Sequence, residues 1–255
     1  SIAFPALGCG EHDCSVDIVV KTLVKEMKQQ IQKHKLPWTV KFIIHPSQQT
    51  VYDEFCRQVL SSDRVPNDYQ LPANWEQSSD EDQKRFLVPK DSDEYKSIID
   101  PFDQAMQGNY TEIVRLERIQ SERWYMQYVA HRKEFKKRLG IDTEKRLYHG
   151  CMLHSVDPII NDCFNRSYAG VNGTAYGVGV YFSSRATYSN SYAGPDDETG
   201  EQHMFVCRVL AGKTTKGDSS MQVRPVGFDS TTDGIHMTVT YHDAQAYAEY
   251  LITYH

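Results

Sequence analysis

Arg146-Leu-Tyr-His149-Gly150 opens a stretch that continues, after a mixed segment, with Tyr176-Gly-Val-Gly-Val-Tyr181-Phe182 and closes on Ser189 and Tyr192. Leu147-Tyr148 reads as the end of a short apolar strand running into a polar His-Gly pair, where glycine lets backbone and ligand approach closely. Gly177 and Gly179 alternate with Val178, Val180 and Phe182, which puts both glycines on one face of an extended segment. A strand face stripped of side chains has made room for something. Tyr176, Tyr181, Tyr188 and Tyr192 supply flat rings for stacking on an aromatic ligand. The pieces describe a pocket at strand ends for a planar, polar-rimmed ligand. Taken singly, each has a plainer reading: His-Gly is common in turns, and two glycines in a strand can mark a bulge. Gly-Val-Gly also lacks the third glycine of a dinucleotide fingerprint, with Phe182 in its place. Order and spacing together carry the reading.

The composition is that of a soluble globular chain: 255 residues, 40% hydrophobic and 24% charged. A net charge near -6 gives no global attraction to nucleic acid or an anionic membrane. The basic cluster at Arg132-Lys133 and Lys136-Lys137-Arg138 reads as the solvated face of a helix. No apolar run in these 255 residues approaches membrane-spanning length, and none is expected to act as a signal peptide. Cys9, Cys14, Cys56, Cys151, Cys163 and Cys207 show no paired C-x-x-C spacing, so neither zinc nor a disulfide framework is expected. Reduced thiols in a cytoplasmic or nuclear protein are the default.

The chain begins without Met, in an apolar strand over residues 1–7, as a piece of a longer protein would. Gly8-Cys-Gly10 follows, with Ser15 as N-cap of a helix whose Val16, Val19, Val20, Leu23, Val24, Met27 and Ile31 share a face. A strand over residues 38–44 and an amphipathic helix over 48–60 complete an α/β rhythm. Residues 61–85 turn to Asp, Asn, Pro, Ser and Gln, a linker and surface loop that includes the acidic run 78–82. Beyond it the pattern predicts a strand at Phe86, a helix over 92–106 and a strand over 110–119. A helix capped by Ser121 then carries a core stripe of Trp124, Tyr128, Phe135 and Leu139. Strands are expected at 204–210, 222–224, 237–241 and 250–254. Many strands with few helices indicate an α+β fold built on antiparallel sheets.

The opening Ser-Ile-Ala-Phe-Pro-Ala-Leu-Gly resembles the C-terminal end of a macrodomain, the ADP-ribose-binding module. The likeness covers residues 1–60, without the strands and binding loop that precede this segment in such modules, so it is read as a structural remnant. After a linker at 61–68, residues 69–255 resemble the catalytic domain of the poly(ADP-ribose) polymerase (PARP) superfamily, in the macrodomain-containing branch that transfers single ADP-ribose units. Its motifs here are Leu-Tyr-His149-Gly150, Cys163-Phe-Asn-Arg166-Ser-Tyr-Ala-Gly, Ala175-Tyr-Gly-Val-Gly-Val-Tyr181-Phe and Asp243-Ala-Gln-Ala-Tyr-Ala-Glu-Tyr-Leu-Ile-Thr. The resemblance implies an ADP-ribosyltransferase fold of two packed, mainly antiparallel sheets with flanking helices.

It also implies roles around NAD as co-substrate, with no metal. Gly150 would pair its backbone with the nicotinamide amide, Ser189 would add a hydroxyl contact, and Tyr181 and Tyr192 would sandwich the ring. His149 would bond a ribose hydroxyl of the adenosine half. Residues 165–174 would lie over the donor with Arg166 near the diphosphate, and Tyr176 and Cys151 would line the site, Cys151 replacing a small hydroxyl residue. The third signature position, Glu in polymer-forming relatives, is Met237 by counting back from Tyr241 and Ala244-Gln245, and a thioether cannot act as general base. The expectation is a mono-ADP-ribosyltransferase acting on protein side chains, its own among the candidates, with the acceptor, whether Glu, Asp, Lys, Ser or a nucleic-acid end, left open by the sequence. A silent NAD- or ADP-ribose-binding module and an NAD glycohydrolase are the alternatives.

Overall fold

The computed structural model describes residues 2–5, 15–33, 40–45, 48–60, 71–76, 84–169 and 173–255. Leu7, Gly8, Gly10 and Trp38, the 61–68 linker and the acidic run 78–82 lie outside them. The chain divides into two compact units, Ser1–Gln70 and Leu71–His255.

In the first unit, β1 (Ile2–Pro5) pairs in parallel with β2 (Val40–Ile43), Phe4 opposite Phe42. The connection is α1 (Val16–Lys33), and α2 (Gln49–Leu60) follows β2. Val20 and Val24 of α1 meet Val51 and Phe55 of α2 in a small core, with the Phe42 ring 4.5 Å from that of Phe55. Lys28 donates through Nζ to the Gln58 and Val59 carbonyls, two acceptors in the last turn of α2.

The second unit is α+β with a large, mainly antiparallel sheet, as the strand-rich pattern indicated. Its elements are β3 (Arg85–Leu87), α3 (Asp93–Met106), β4 (Ile113–Ile119), α4 (Glu122–Leu139), β5 (Glu144–Cys151), α5 (Leu153–Asp162), β6 (Val180–Ser183) and α6 (Ala186–Asn190). Then come β7 (Gln202–Leu210), β8 (Thr214–Lys216), β9 (Ser230–Thr232), β10 (Met237–Thr240) and β11 (Ala246–Tyr254). The strand order is β3-β4-β11-β7-β5-β6-β10-β9-β8, antiparallel throughout except β8–β9. Two lobes, β3 to β5 and β6 to β8, meet at a seam where β5 and β6 share one residue pair, Tyr148 opposite Ser183.

α3 and α4 form where the sequence places them, although Ser121, expected to cap α4, makes no side-chain cap bond. Ser92 caps α3 by accepting the Tyr95 N–H at 3.1 Å, and Gly140 ends α4 at φ 72. The buried face of α3 (Ile98, Ile99, Phe102, Met106) packs with Tyr148, Met204, Val206, Ile252 and Tyr254. Trp124, Tyr128 and Phe135 of α4 are buried as the stripe requires. The expected strand at 222–224 is instead loop, where Met221 and Gln222 spend their carbonyls on Val178 N–H and Arg166. The sequence reading missed α5, which carries Pro158 inside the helix, and the five-residue α6.

Among the described residues, the buried charges of Arg118, Asp229 and Glu249 are paired. Arg118, 5% exposed, donates to Glu94 at 2.9 and 2.7 Å, to Glu76 at 2.6 Å and to Gln120 at 3.0 Å, and Glu94 also accepts from Tyr250 at 2.8 Å. Replacing Arg118 with Met leaves Glu94 half-buried without its counter-charge. Arg118→Met should lower stability by about 2–3 kcal/mol, below the range for fully buried pairs because Glu76 is largely solvated. Urea unfolding with an unchanged slope checks this.

Candidate active site

The site grows from the seam. Along its other edge β5 pairs with β7 from Glu144–Leu210 to Cys151–His203, so β5 itself is firmly held. In an antiparallel strand, alternate residues turn N–H and C=O toward the same neighbour. Tyr148 faces β6, so Gly150, two residues on, also faces that side. There β6 has already parted, because the ladder ends at Tyr148–Ser183. The result is a strand edge presenting one donor and one acceptor into a gap.

The gap is walled by α6. A Cβ on Gly150 would overlap the Ser189 carbonyl oxygen and lie 2.9 Å from its carbon and 3.3 Å from Ala193 N. The missing side chain therefore admits α6 rather than a ligand directly. Ser189 is buried and donates its hydroxyl to Tyr148 O at 3.2 Å, which leaves its lone pairs for another partner. Gly177 and Gly179 correct the sequence reading in the same way. They lie in the turn before β6, where added Cβ atoms would overlap the Tyr241 hydroxyl and the Thr240 carbonyl. That face was cleared for β10 and Tyr241.

Tyr181 is fixed through its hydroxyl, which accepts the Tyr176 N–H at 2.9 Å and donates to Gly177 O at 2.8 Å. The phenol is thereby spent on the preceding turn, and the ring face is what it offers. Burial raises its pKa, and the neighbouring phenols of Tyr241, Tyr192 and Tyr176 add to the rise. Tyr192 is exposed and shares a 3.0 Å hydroxyl contact with Tyr188, whose pKa is raised first by burial and then by that bond. Tyr176, Tyr181, Tyr188 and Tyr192 thus stand within electrostatic reach of one another.

His149 lies on the opposite face of β5, among Phe164 and Phe182, with ring centroids at 5.1 and 5.5 Å. Its Nδ1 is 2.8 Å from the Tyr181 carbonyl, and a carbonyl can only accept, so Nδ1 carries the proton. Burial pushes its pKa down despite that bond, so the ring is neutral near pH 7 and Nε2 keeps its lone pair. The Cys151 thiol is buried and its pKa is pushed up to about 12, which makes it a neutral wall and no nucleophile.

Arg166 does not point freely. Its guanidinium donates to Tyr241 O at 3.3 Å and Gln222 O at 3.0 Å, and its backbone N–H donates to Asp243 Oδ1 at 3.0 Å. It ties the loop start to the end of β10. Met237 opens β10 opposite Ser183, is buried, and donates its N–H to Asp233 Oδ1 at 2.8 Å. Asp233, His236 and Ser183, to which the sequence reading gave no role, cluster beside Met237; an Asp three residues before a His was the available signal.

The family profile described as "Poly(ADP-ribose) polymerase catalytic domain" matches residues 92–235. The chain belongs to that family. Protein mono-ADP-ribosyltransferase PARP14 of Homo sapiens is 37% identical over 202 residues, which cover 72% of this chain and 11% of that protein. Protein mono-ADP-ribosyltransferase PARP12 of Homo sapiens is 26% identical over 261 residues, covering 96% of this chain and 35% of the relative. Protein mono-ADP-ribosyltransferase PARP10 of Mus musculus is 32% identical over 181 residues, covering 65% and 19%. The chain therefore spans only a minor part of each relative's length.

Gly150→Ala tests the seam. The added Cβ must push back the backbone of α6, at a cost of about 1–3 kcal/mol. Both thermal stability and NAD binding by calorimetry should fall. Gly194→Ala meets only the flexible end of Met152, with Sδ at 2.6 Å, and should leave stability within about 1 kcal/mol of the parent.

Proposed function

We propose that the chain is an NAD-dependent mono-ADP-ribosyltransferase that moves one ADP-ribose to a protein side chain, its own included, and releases nicotinamide. The observation that carries this reading is the open edge of β5 at Gly150 beside the Tyr181 and Tyr192 rings. A carboxamide offers one acceptor and one donor side by side, the complement of a strand edge. A pyridinium between two phenol faces gains from stacking and from the ring quadrupoles.

Ser189, with free lone pairs, suits the amide N–H of the same group. Bare Nε2 makes His149 an acceptor for a ribose hydroxyl, and Tyr176 and Cys151 close the walls. Arg166 is proposed to serve the donor by holding the covering loop, since its guanidinium donors already meet backbone carbonyls. NAD brings the bond that breaks, and the chain's own groups orient it and exclude water. The relatives' printed names support single transfer, and so does Met237. Elongation requires a bound ribose hydroxyl to be positioned and deprotonated, and a thioether does neither. For residues 1–60 we propose the C-terminal end of a macrodomain-like module, supported by the parallel β1–β2 pair and its helices.

Incubation with NAD followed by intact mass and nicotinamide measurement separates the readings. One ADP-ribose per modified site, with no ribosyl-adenosine after phosphodiesterase digestion, is the expected result. Nicotinamide without adduct would mean a glycohydrolase, and neither product would mean a silent binding module. Elongation should stay undetected while first transfer proceeds, because no carboxylate at position 237 positions the ribose hydroxyl of an attached ADP-ribose.

A further inference from the structure

Position 237 lacks a base, and the groups around it show where an acceptor's proton could go. Tyr181 and Ser183 share one face of β6 by the two-residue period, and Met237 joins them through its register with Ser183. His236 reaches the same place, with Nδ1 3.0 Å from Ser183 Oγ. Its Nε2 stands 3.5 Å from Asp233 Oδ2. Asp233 is itself fixed, because Oδ1 accepts the N–H groups of Ile235, His236 and Met237 at 2.9, 2.9 and 2.8 Å. Ser183 Oγ accepts the Arg185 N–H at 2.9 Å, so its own hydrogen can turn to Nδ1.

A relay through these groups uses one tautomer of His236. Nε2 keeps its hydrogen toward the carboxylate, and Nδ1 holds the lone pair that meets the serine hydroxyl. The imidazole packs on Tyr188 at 4.7 Å between centroids, and Tyr188 in turn meets Tyr192. The His236 side chain retains 12% exposure and Ser183 1%, so an acceptor meets the relay only from within the gap.

We propose that Ser183, His236 and Asp233 form a proton relay that supplies the base missing at position 237, and that hydroxyl-bearing side chains are therefore acceptors. The proposal rests on the transferase reading above. A carboxylate acceptor has no proton to lose, whereas a serine or threonine hydroxyl has one. In the step, the acceptor oxygen bonds to the anomeric carbon as the glycosidic C–N bond breaks. The electron pair of that bond leaves on the nicotinamide nitrogen and cancels the pyridinium charge. The acceptor's proton passes to Ser183 Oγ while the Ser183 proton passes to His236 Nδ1. The imidazolium that forms is balanced by Asp233.

The test uses the full chain with NAD and two synthetic peptides, one bearing Ser and Thr but no Asp or Glu, the other bearing Glu but no hydroxyl residue. Neutral hydroxylamine cleaves the ester formed on a carboxylate and leaves an O-glycoside intact. The parent should label the hydroxyl peptide with a hydroxylamine-resistant adduct. His236→Gln should slow that labelling by about 10²–10⁴-fold while NAD affinity by calorimetry is retained. Asp233→Asn keeps an Oδ1 acceptor for the three N–H groups, and so the local fold, and should also slow it. Hydroxylamine-labile adduct alone from the parent overturns the proposal, as does a His236→Gln chain that labels at the parent rate or loses NAD binding. A parent chain that releases no nicotinamide overturns both this inference and the transferase reading.

Discussion

Strand β5 is held on one side and released on the other, and the site depends on that asymmetry. The β7 edge pairs from Glu144 to Cys151, while the β6 edge closes only at Tyr148–Ser183. Two strands that stayed together past that pair would bury the polar edge of Gly150 in a ladder. Two that never met would leave Tyr181 and His149 unrelated. One pair fixes the hinge of the gap, and the 2.8 Å bond from His149 to the Tyr181 carbonyl braces it just beyond. Gly150 is what lets α6 lie close enough to close the far wall.

Most polar atoms lining the gap already have partners within the protein. The Tyr181 hydroxyl serves the turn at 176–177, Ser189 serves Tyr148 and Arg166 serves two carbonyls. These bonds leave ring faces, lone pairs and a backbone edge as the free chemistry. Groups locked in this way lose little entropy when a ligand arrives, which is how preorganised sites convert contacts into binding and orientation.

Local signals in the sequence reached the elements that are locally determined. The helix read over 92–106 is α3, and the α4 stripe is buried at Trp124, Tyr128 and Phe135, because helical period is short-range; Ser121, read as the cap of α4, stands at its start without a side-chain cap bond. The spacing of His149, Gly150, Tyr181, Ser189 and Tyr192 was legible as a stacking pocket, and the fold brings their strands and α6 to one seam. What the glycines clear space for was not legible. Gly150 faces Ser189, 39 positions later, and Gly177 faces Tyr241, 64 later, so their neighbours exist only once the sheet has formed. The loop at 222–224 failed as a strand because its carbonyls are claimed by Arg166 and Val178, again contacts distant in sequence. Pro158 hid α5, although Val156 and Ile160, both buried, already stood one helical turn apart.

Charge around the gap follows one rule. The pyridinium of the proposed co-substrate is positive, and the chain keeps its own cations from answering it. Burial holds His149 neutral, so the neighbour of Gly150 in β5 brings a lone pair and not a second positive charge. Arg166, the cation nearest the loop, is turned to the carbonyls of Tyr241 and Gln222, and its charge lies 5.8 Å from the Tyr241 ring. The phenol π-surface facing the gap favours a cationic ring over a neutral one. In the proposed reaction, breaking the glycosidic bond would remove the charge that the walls hold. The same stacking that orients the donor would weaken as the product forms, which would favour departure of nicotinamide over its recombination with the ribose.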